Sequence, residues 1–179
     1  MNFYSIFHRE VHGHTNITLD GGHIPDAMDY NRLRSLTIFK DLDKEELETV
    51  QKHIFEQSVK KDNVLFVEGM PGELLYIIIS GGVEIIKETK DNEKIILAAM
   101  GPNEIIGEMS LIDSEPRSAT GKTSEDSVLL VIKKQSLNEI LQSDPRLAAK
   151  VLMGLLKVVS RRLRVMDKKI EGIKKIVKR

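Results

Sequence analysis

Cysteine is absent from this 179-residue chain, which excludes a disulfide framework and any thiolate metal site. Net charge is absent too: 27 basic residues balance 27 acidic ones, so no global field recommends nucleic acid as a partner. The sequence has no run of about 18 apolar residues and no cationic start followed by an apolar segment. A cytoplasmic protein with no transmembrane segment is therefore expected. Catalytic constellations are lacking as well. There is no Ser-His-Asp order, no Gly-Lys-Ser/Thr phosphate loop and no metal-hydrolase pattern. The chain is therefore not expected to be an enzyme, and no cofactor or metal is expected.

What is present is enough for one globular domain with an arm or two. The residues are 41% hydrophobic and 30% charged, which suits a real core under a soluble surface. Residues 1–28 hold four of the five histidines, Gly21-Gly22 and Pro25, without a sustained period. They read as an N-terminal arm, poorly ordered or docked elsewhere through Phe3, Tyr4, Ile6 and Phe7. His8, His12 and His14 lack a supporting carboxylate or cysteine at ligand spacing, so a solvated arm is favoured over a zinc site.

From residue 29 the pattern becomes regular. Asp43 and Glu46 form a capping box ahead of a helix whose apolar face is Leu47, Val50 and Ile54. Short Val- and Ile-rich runs follow at 64–67, 74–79, 83–88, 94–99, 119–123 and 127–132. Gly69–Gly72, Gly81-Gly82, Asp91-Asn92 and Gly101-Pro102 punctuate them. Short strands at this spacing suggest an α+β fold built on a jelly-roll barrel or sandwich, filling residues 29–144.

Helix returns at about Gln135–Leu141 and again from Pro145, capped by Asp144, as a separate element over residues 145–179. Along it Leu152, Leu156, Val159, Leu163, Met166, Ile170, Ile173 and Val177 alternate by four and three residues. That is a heptad seam, and it predicts a homodimer through a parallel coiled coil. Gly154 and Gly172 are expected weak points of about 1 kcal/mol each relative to alanine. Ten basic residues against two acidic ones lie between Lys157 and Arg179. A solvated coil surface explains them, and repulsion between Lys169 and Lys174 at facing positions leaves room for a polyanionic partner.

The most informative stretch is 105–120, Ile-Ile-Gly-Glu-Met-Ser-Leu-Ile-Asp-Ser-Glu-Pro-Arg-Ser-Ala-Thr. It resembles the phosphate-binding cassette of the cyclic nucleotide-binding domain family, in which Gly-Glu is followed some residues later by Arg-Ser/Thr/Ala-Ala. The resemblance spans residues 33–171 and is strongest with the catabolite-activator-like members. It implies an eight-stranded jelly roll with flanking helices, a long C-terminal dimerisation helix, and cAMP or cGMP as ligand. By motif position the binding residues are Gly107, Glu108, Met109, Ser110, Arg117 and Ser118. An arginine fork suits a phosphate, a carboxylate suits the ribose 2′-hydroxyl, and the N–H groups of Met109 and Ser110 suit the phosphate oxygens.

Gapless extension of the resemblance implies a base pocket of Ile85, Leu97 and Met100 with Arg162, Met166 and Asp167 from the last helix. Met166-Asp167 stands where the activators carry a Thr-Ser pair. An ionised aspartate only accepts hydrogen bonds, which matches guanine better than adenine, and an acidic residue on the lid helix of cyclic-nucleotide-gated channels goes with cGMP preference. A cross-dimer salt bridge between Asp167 and Arg162 is an equal explanation of the aspartate. No helix-turn-helix follows the dimer helix, so DNA binding by that module is not expected. The combined expectation is a homodimeric cyclic-nucleotide receptor, with cAMP favoured over cGMP, whose C-terminal helix acts as a lid and changes on ligand binding. The alternatives are an adaptor with a vestigial pocket, or a regulatory subunit of a separately encoded enzyme or transporter.

Overall fold

The computed structural model describes residues 30–177, with side chains to residue 171. The arm of residues 1–28 and its histidines lie outside the described residues. The order is α1 (Tyr30–Ser35), α2 (Lys44–Gln51), β1 (Ile54–Val59), β2 (Val64–Phe66), β3 (Leu74–Ser80), β4 (Val83–Glu88), β5 (Lys94–Met100) and β6 (Ile105–Ile106). Then come α3 (Glu108–Ile112), β7 (Thr120–Thr123), β8 (Ser127–Lys133), α4 (Lys134–Ser143) and α5 (Pro145–Val177). The described residues divide into two compact units, a β unit of residues 54–134 and a helical unit of residues 30–53 and 135–177.

In the β unit, eight antiparallel strands form two four-stranded sheets, ordered β1-β8-β3-β6 and β2-β7-β4-β5. This is the expected jelly roll. Val59, Leu65, Tyr76, Ile78, Val83, Met100, Ile106, Leu129 and Val131 make its core, with Phe66, Ile85 and Ala98 packed against them. On β4 the alternation of side chains puts Val83, Ile85 and Lys87 on one face. Between β4 and β5 the pairing skips a residue: Ile85 faces Ala98 but Ile86 faces Ile96. Leu97 is the extra residue of that bulge, a device that bends a strand and re-aims a side chain.

Two strands escaped the sequence pattern. Ile54 was expected on the helical face of Leu47 and Val50, but α2 ends at Gln51 and Ile54 opens β1. Residues 54–59 pair one for one with β8, from Ile54–Ile132 to Val59–Ser127. That six-residue ladder outweighs a continuation of the helical period. The other strand, β6, is two residues long and pairs with Tyr76 and Ile77.

In the helical unit the capping box is present. Glu46 N–H donates to Asp43 Oδ1 at 3.0 Å, and Asp43 N–H donates to Glu46 Oε2 at 2.9 Å. Asp144 caps α5 by accepting from the N–H groups of Arg146 and Leu147 at 3.1 and 3.0 Å. One stripe of α5, Leu147, Ala148, Val151, Leu155 and Val158, is buried. The heptad stripe behaves differently: Leu152 and Val159 are half-buried, and Leu156, Leu163, Met166 and Ile170 are exposed, Leu163 and Met166 at 57%.

Gly154 corrects an expectation. A Cβ there would overlap the Ile38 carbonyl oxygen and stand 2.7 Å from Ile38 Cα. The helix backbone packs directly on the chain at Ile38, so glycine is required by a close approach and is not a weak point that alanine would repair.

Candidate functional site

Among the described residues the buried polar or charged side chains are Glu108, Ser110, Arg117, Thr123 and Ser127. Three of these come from the 105–120 stretch, and their burial is enforced locally. Gly107 caps α3 in the left-handed region, at φ 79° and ψ 12°, a conformation that glycine adopts without penalty. A Cβ at Gly107 would also fall 2.5 Å from Arg117 Nη1 and 3.0 Å from the Leu74 carbonyl oxygen. The turn therefore needs glycine twice over, for its dihedrals and for the arginine lying against it.

Arg117 is 5% exposed. Its Nη1 donates to the Gly107 carbonyl at 2.8 Å and its Nη2 to the Leu74 carbonyl at 2.5 Å. Below it, the guanidinium carbon lies 4.5 Å from the centre of the Phe66 ring, close enough for a cation–π attraction. Phe66 in turn stacks on Tyr76, with centroids 6.0 Å apart. Gly121 accommodates this ring, since a Cβ there would meet Phe66 at 2.6 Å. Gly72 has the same role on the other side: its Cβ would collide with Ser110 and stand 3.0 Å from Arg117 Cζ. The arginine main chain is held as well, its N–H donating to Met70 O and its carbonyl accepting from Gly69 N–H, both at 2.8 Å.

Electrostatically the guanidinium is under tension. Burial pulls its pKa below the ordinary value, and the nearby Tyr76, Glu108 and Glu73 act in the opposite direction. Tyr76 is pushed up to about 12 by burial, with Arg117 opposing, so its hydroxyl stays neutral and donates to the Leu65 carbonyl at 3.3 Å. Arginine remains charged even in such surroundings. Its Nε is buried with no hydrogen-bond partner in the protein. A buried cation with an unsatisfied donor, beside the start of α3 and a buried glutamate, is suited to an anionic ligand that carries a hydroxyl.

The remaining candidates are distributed as follows. Met109 is exposed, and Ser118 Oγ lies 3.9 Å from its sulfur. Ile85 packs on the β-unit core, Met100 is part of it, and Leu97 is exposed at the bulge. Arg162, Met166 and Asp167 lie on α5, in the helical unit. The sequence reading missed Leu74, whose carbonyl has no signature in sequence. It also missed Phe66, whose only signal was one aromatic at the end of a short strand, and Gly72, which was visible only as a turn residue.

Comparison with known proteins now bears on this geometry. Residues 56–144 match the family described as the cyclic nucleotide-binding domain. A crystal structure of a cyclic nucleotide-binding domain from Methylobacillus flagellatus superposes with a TM-score of 0.74 at 30% identity, covering 79% of this chain and 82% of that one. The chain belongs to the cyclic nucleotide-binding domain family. Within that family it is 30% identical, over 127 residues, to the CRP-like cAMP-activated global transcriptional regulator of Mycobacterium tuberculosis. The match covers 71% of this chain and 55% of the regulator, so this chain spans little more than half the length of that curated relative. The regulatory domain of Toxoplasma gondii PKA, in a structure with cAMP, has 31% identity and a TM-score of 0.56, covering 62% of this chain and 42% of that one. The M. tuberculosis and T. gondii relatives are regulatory by name. No described helix of this family member is long and apolar enough to cross a membrane.

Proposed function

We propose that the protein is a cyclic-nucleotide receptor whose ligand is cAMP in preference to cGMP. The observation that carries the proposal is Arg117, buried and charged, clamped by two main-chain carbonyls and left with an unpartnered Nε. In this reading Arg117 takes the cyclic phosphate with the N–H groups of Met109 and Ser110, and Glu108 accepts from the ribose 2′-hydroxyl. Gly107 keeps the sugar edge close to the backbone, and Ser118 adds a hydroxyl at the phosphate. Ile85, Leu97 and Met100 supply apolar surface to the base. The preference for cAMP is supported by the M. tuberculosis regulator, named as cAMP-activated, and by the T. gondii domain, solved with cAMP. The ligand's effect is read out through α5, whose exposed heptad stripe we assign to a second copy of the chain.

Calorimetric titration of the purified protein with cAMP and with cGMP tests this reading. Saturable binding of cAMP, weaker binding of cGMP, and loss of both by at least about a hundredfold in Arg117→Ala are expected, as for removal of a bidentate charged donor. Unchanged affinity in Arg117→Ala would move the site elsewhere. No heat with either nucleotide would favour the adaptor reading, in which the exposed α5 stripe is the functional surface.

A further inference from the structure

Beyond the six cassette positions, the structure joins Lys87 to the ligand site. Its Nζ donates to the Ser118 carbonyl at 2.8 Å and pairs with Glu68 Oε1 at 2.6 Å. Strand pairing explains how a residue of β4 reaches the cassette. Ile86 faces Thr120 at the end of the β4–β7 ladder, so Lys87 is one step past it, where the chain from Arg117 enters β7. Glu68 is anchored on the same side, its N–H donating to Thr120 Oγ1 at 3.1 Å. Its carboxyl is held below the ordinary range, chiefly by the Lys87 hydrogen bond.

Lysine is an unexpected choice here. Lys87 shares its face of β4 with Val83, in the core of the β unit, and Ile85, packed against that core, and a third apolar residue would suit that pattern. The Glu68 pair is not a sufficient reason for the substitution, because a half-exposed ion pair contributes little to stability. What Lys87 supplies is direction. Residues Arg117 and Ser118 are fastened in sequence: Arg117 by Gly69 and Met70, then the Ser118 carbonyl by Lys87. Without the lysine, the Ser118 carbonyl loses this side-chain donor. The Arg117 guanidinium, held separately by Gly107, Leu74 and Phe66, would stay in place.

We infer that Lys87 is a positioning residue of the ligand site, setting the orientation of Ser118 toward the phosphate through the Ser118 carbonyl, with Glu68 holding the lysine in place. This rests on the proposed nucleotide reading of the cassette. The test is a titration of Lys87→Met, Lys87→Arg and Glu68→Gln with cAMP and with its two phosphorothioate diastereomers, in which sulfur replaces one or the other exocyclic oxygen. Lys87→Met is expected to weaken cAMP about tenfold, the effect of one charge-assisted hydrogen bond, and to narrow discrimination between the diastereomers, with Tm little changed. Lys87→Arg, which can still donate to the carbonyl, should restore part of both. Glu68→Gln should act in the same sense as Lys87→Met but less. Wild-type affinity and an unchanged diastereomer ratio in Lys87→Met would overturn the inference. So would an affinity loss that follows a fallen Tm while the ratio stays the same. Arg117→Ala run alongside separates the two levels: a wild-type protein that binds no nucleotide overturns the site reading and this inference together, whereas a site sensitive to Arg117 and indifferent to Lys87 overturns this inference alone.

Discussion

The two units bury opposite things. All the buried polar and charged side chains of the described residues, Glu108, Ser110, Arg117, Thr123 and Ser127, belong to the β unit. In the helical unit the charges stay outside, as in Lys150–Glu46 at 2.6 Å and Lys157–Asp41. There the apolar residues Met153, Leu156, Leu163, Val165, Met166 and Ile170 are left exposed on α5. Burying a charge is unfavourable unless its partners are arranged beforehand, and leaving a row of leucine-sized side chains in water forgoes their transfer free energy. Each unit departs in its own way from the ordinary division of inside and outside. In the β unit the departure centres on the 105–120 stretch, where Glu108, Ser110 and Arg117 are turned inward. In the helical unit it lies on α5, where Leu156, Leu163, Met166 and Ile170 of the heptad stripe are left exposed.

The strongest way to break this contrast is at Arg117. Besides ending nucleotide binding, Arg117→Ala leaves the Gly107 and Leu74 carbonyls without their donors, and thermal unfolding should show a loss of about 2–3 kcal/mol. Next, Leu163→Glu places a carboxylate on the exposed stripe. Sedimentation should show the dimer weakened by at least about a hundredfold, as for a charge forced into an apolar seam, while the β unit keeps its nucleotide affinity. A dimer of unchanged strength would remove the coiled coil from the proposal.

Gly154→Ala sharpens the comparison within the helical unit itself. Helix propensity alone predicts a gain of about 1 kcal/mol. The approach of Ile38 predicts instead a loss of about 1–3 kcal/mol, as for overpacking, and a denaturant titration decides the sign. Removing the cap with Asp43→Ala should lower stability by about 1 kcal/mol and leave ligand binding alone.

The smallest effect is expected in acid. Asp41, Asp62, Asp126 and Glu68 all have folded-state pKa values below their ordinary ones, in each case first through a hydrogen bond from a lysine: Lys157, Lys122, Lys60 and Lys87 respectively. Their stabilisation is therefore present above the unfolded values of 3.8 for aspartate and 4.5 for glutamate. It is lost as pH falls through the lower folded values. Tm measured downward from pH 6 should stay level and then decline below about pH 4, shallowly because these pairs are exposed to solvent.

Much of this was legible in the sequence. Asp43 and Glu46 are three residues apart, and the box they form involves nothing beyond that turn. The α5 boundary at Pro145 and the period of its stripe are likewise properties of one segment. Gly107 and Arg117 are only ten positions apart, and they meet. What escaped were features with a distant partner. Residues 54–59 become a strand because residues 127–132 lie beside them. The second carbonyl of the arginine clamp belongs to Leu74, 43 positions away, and any residue type would supply a carbonyl there.

From its own order of residues, then, the chain determined where turns and caps fall, which stripe of the last helix is apolar, and which ten-residue interval joins a glycine turn to an arginine. These depend on neighbours within a few turns, whose geometry the covalent chain already restricts. Only the tertiary structure decided that Arg117 is buried between Leu74 and Phe66, that Gly154 is a contact and not a defect, that Leu156, Leu163, Met166 and Ile170 stand in the open, and that a lysine on β4 reaches the Ser118 carbonyl. Each of these needs two segments brought together by the packing of the whole core, and sequence order carries no distance between them.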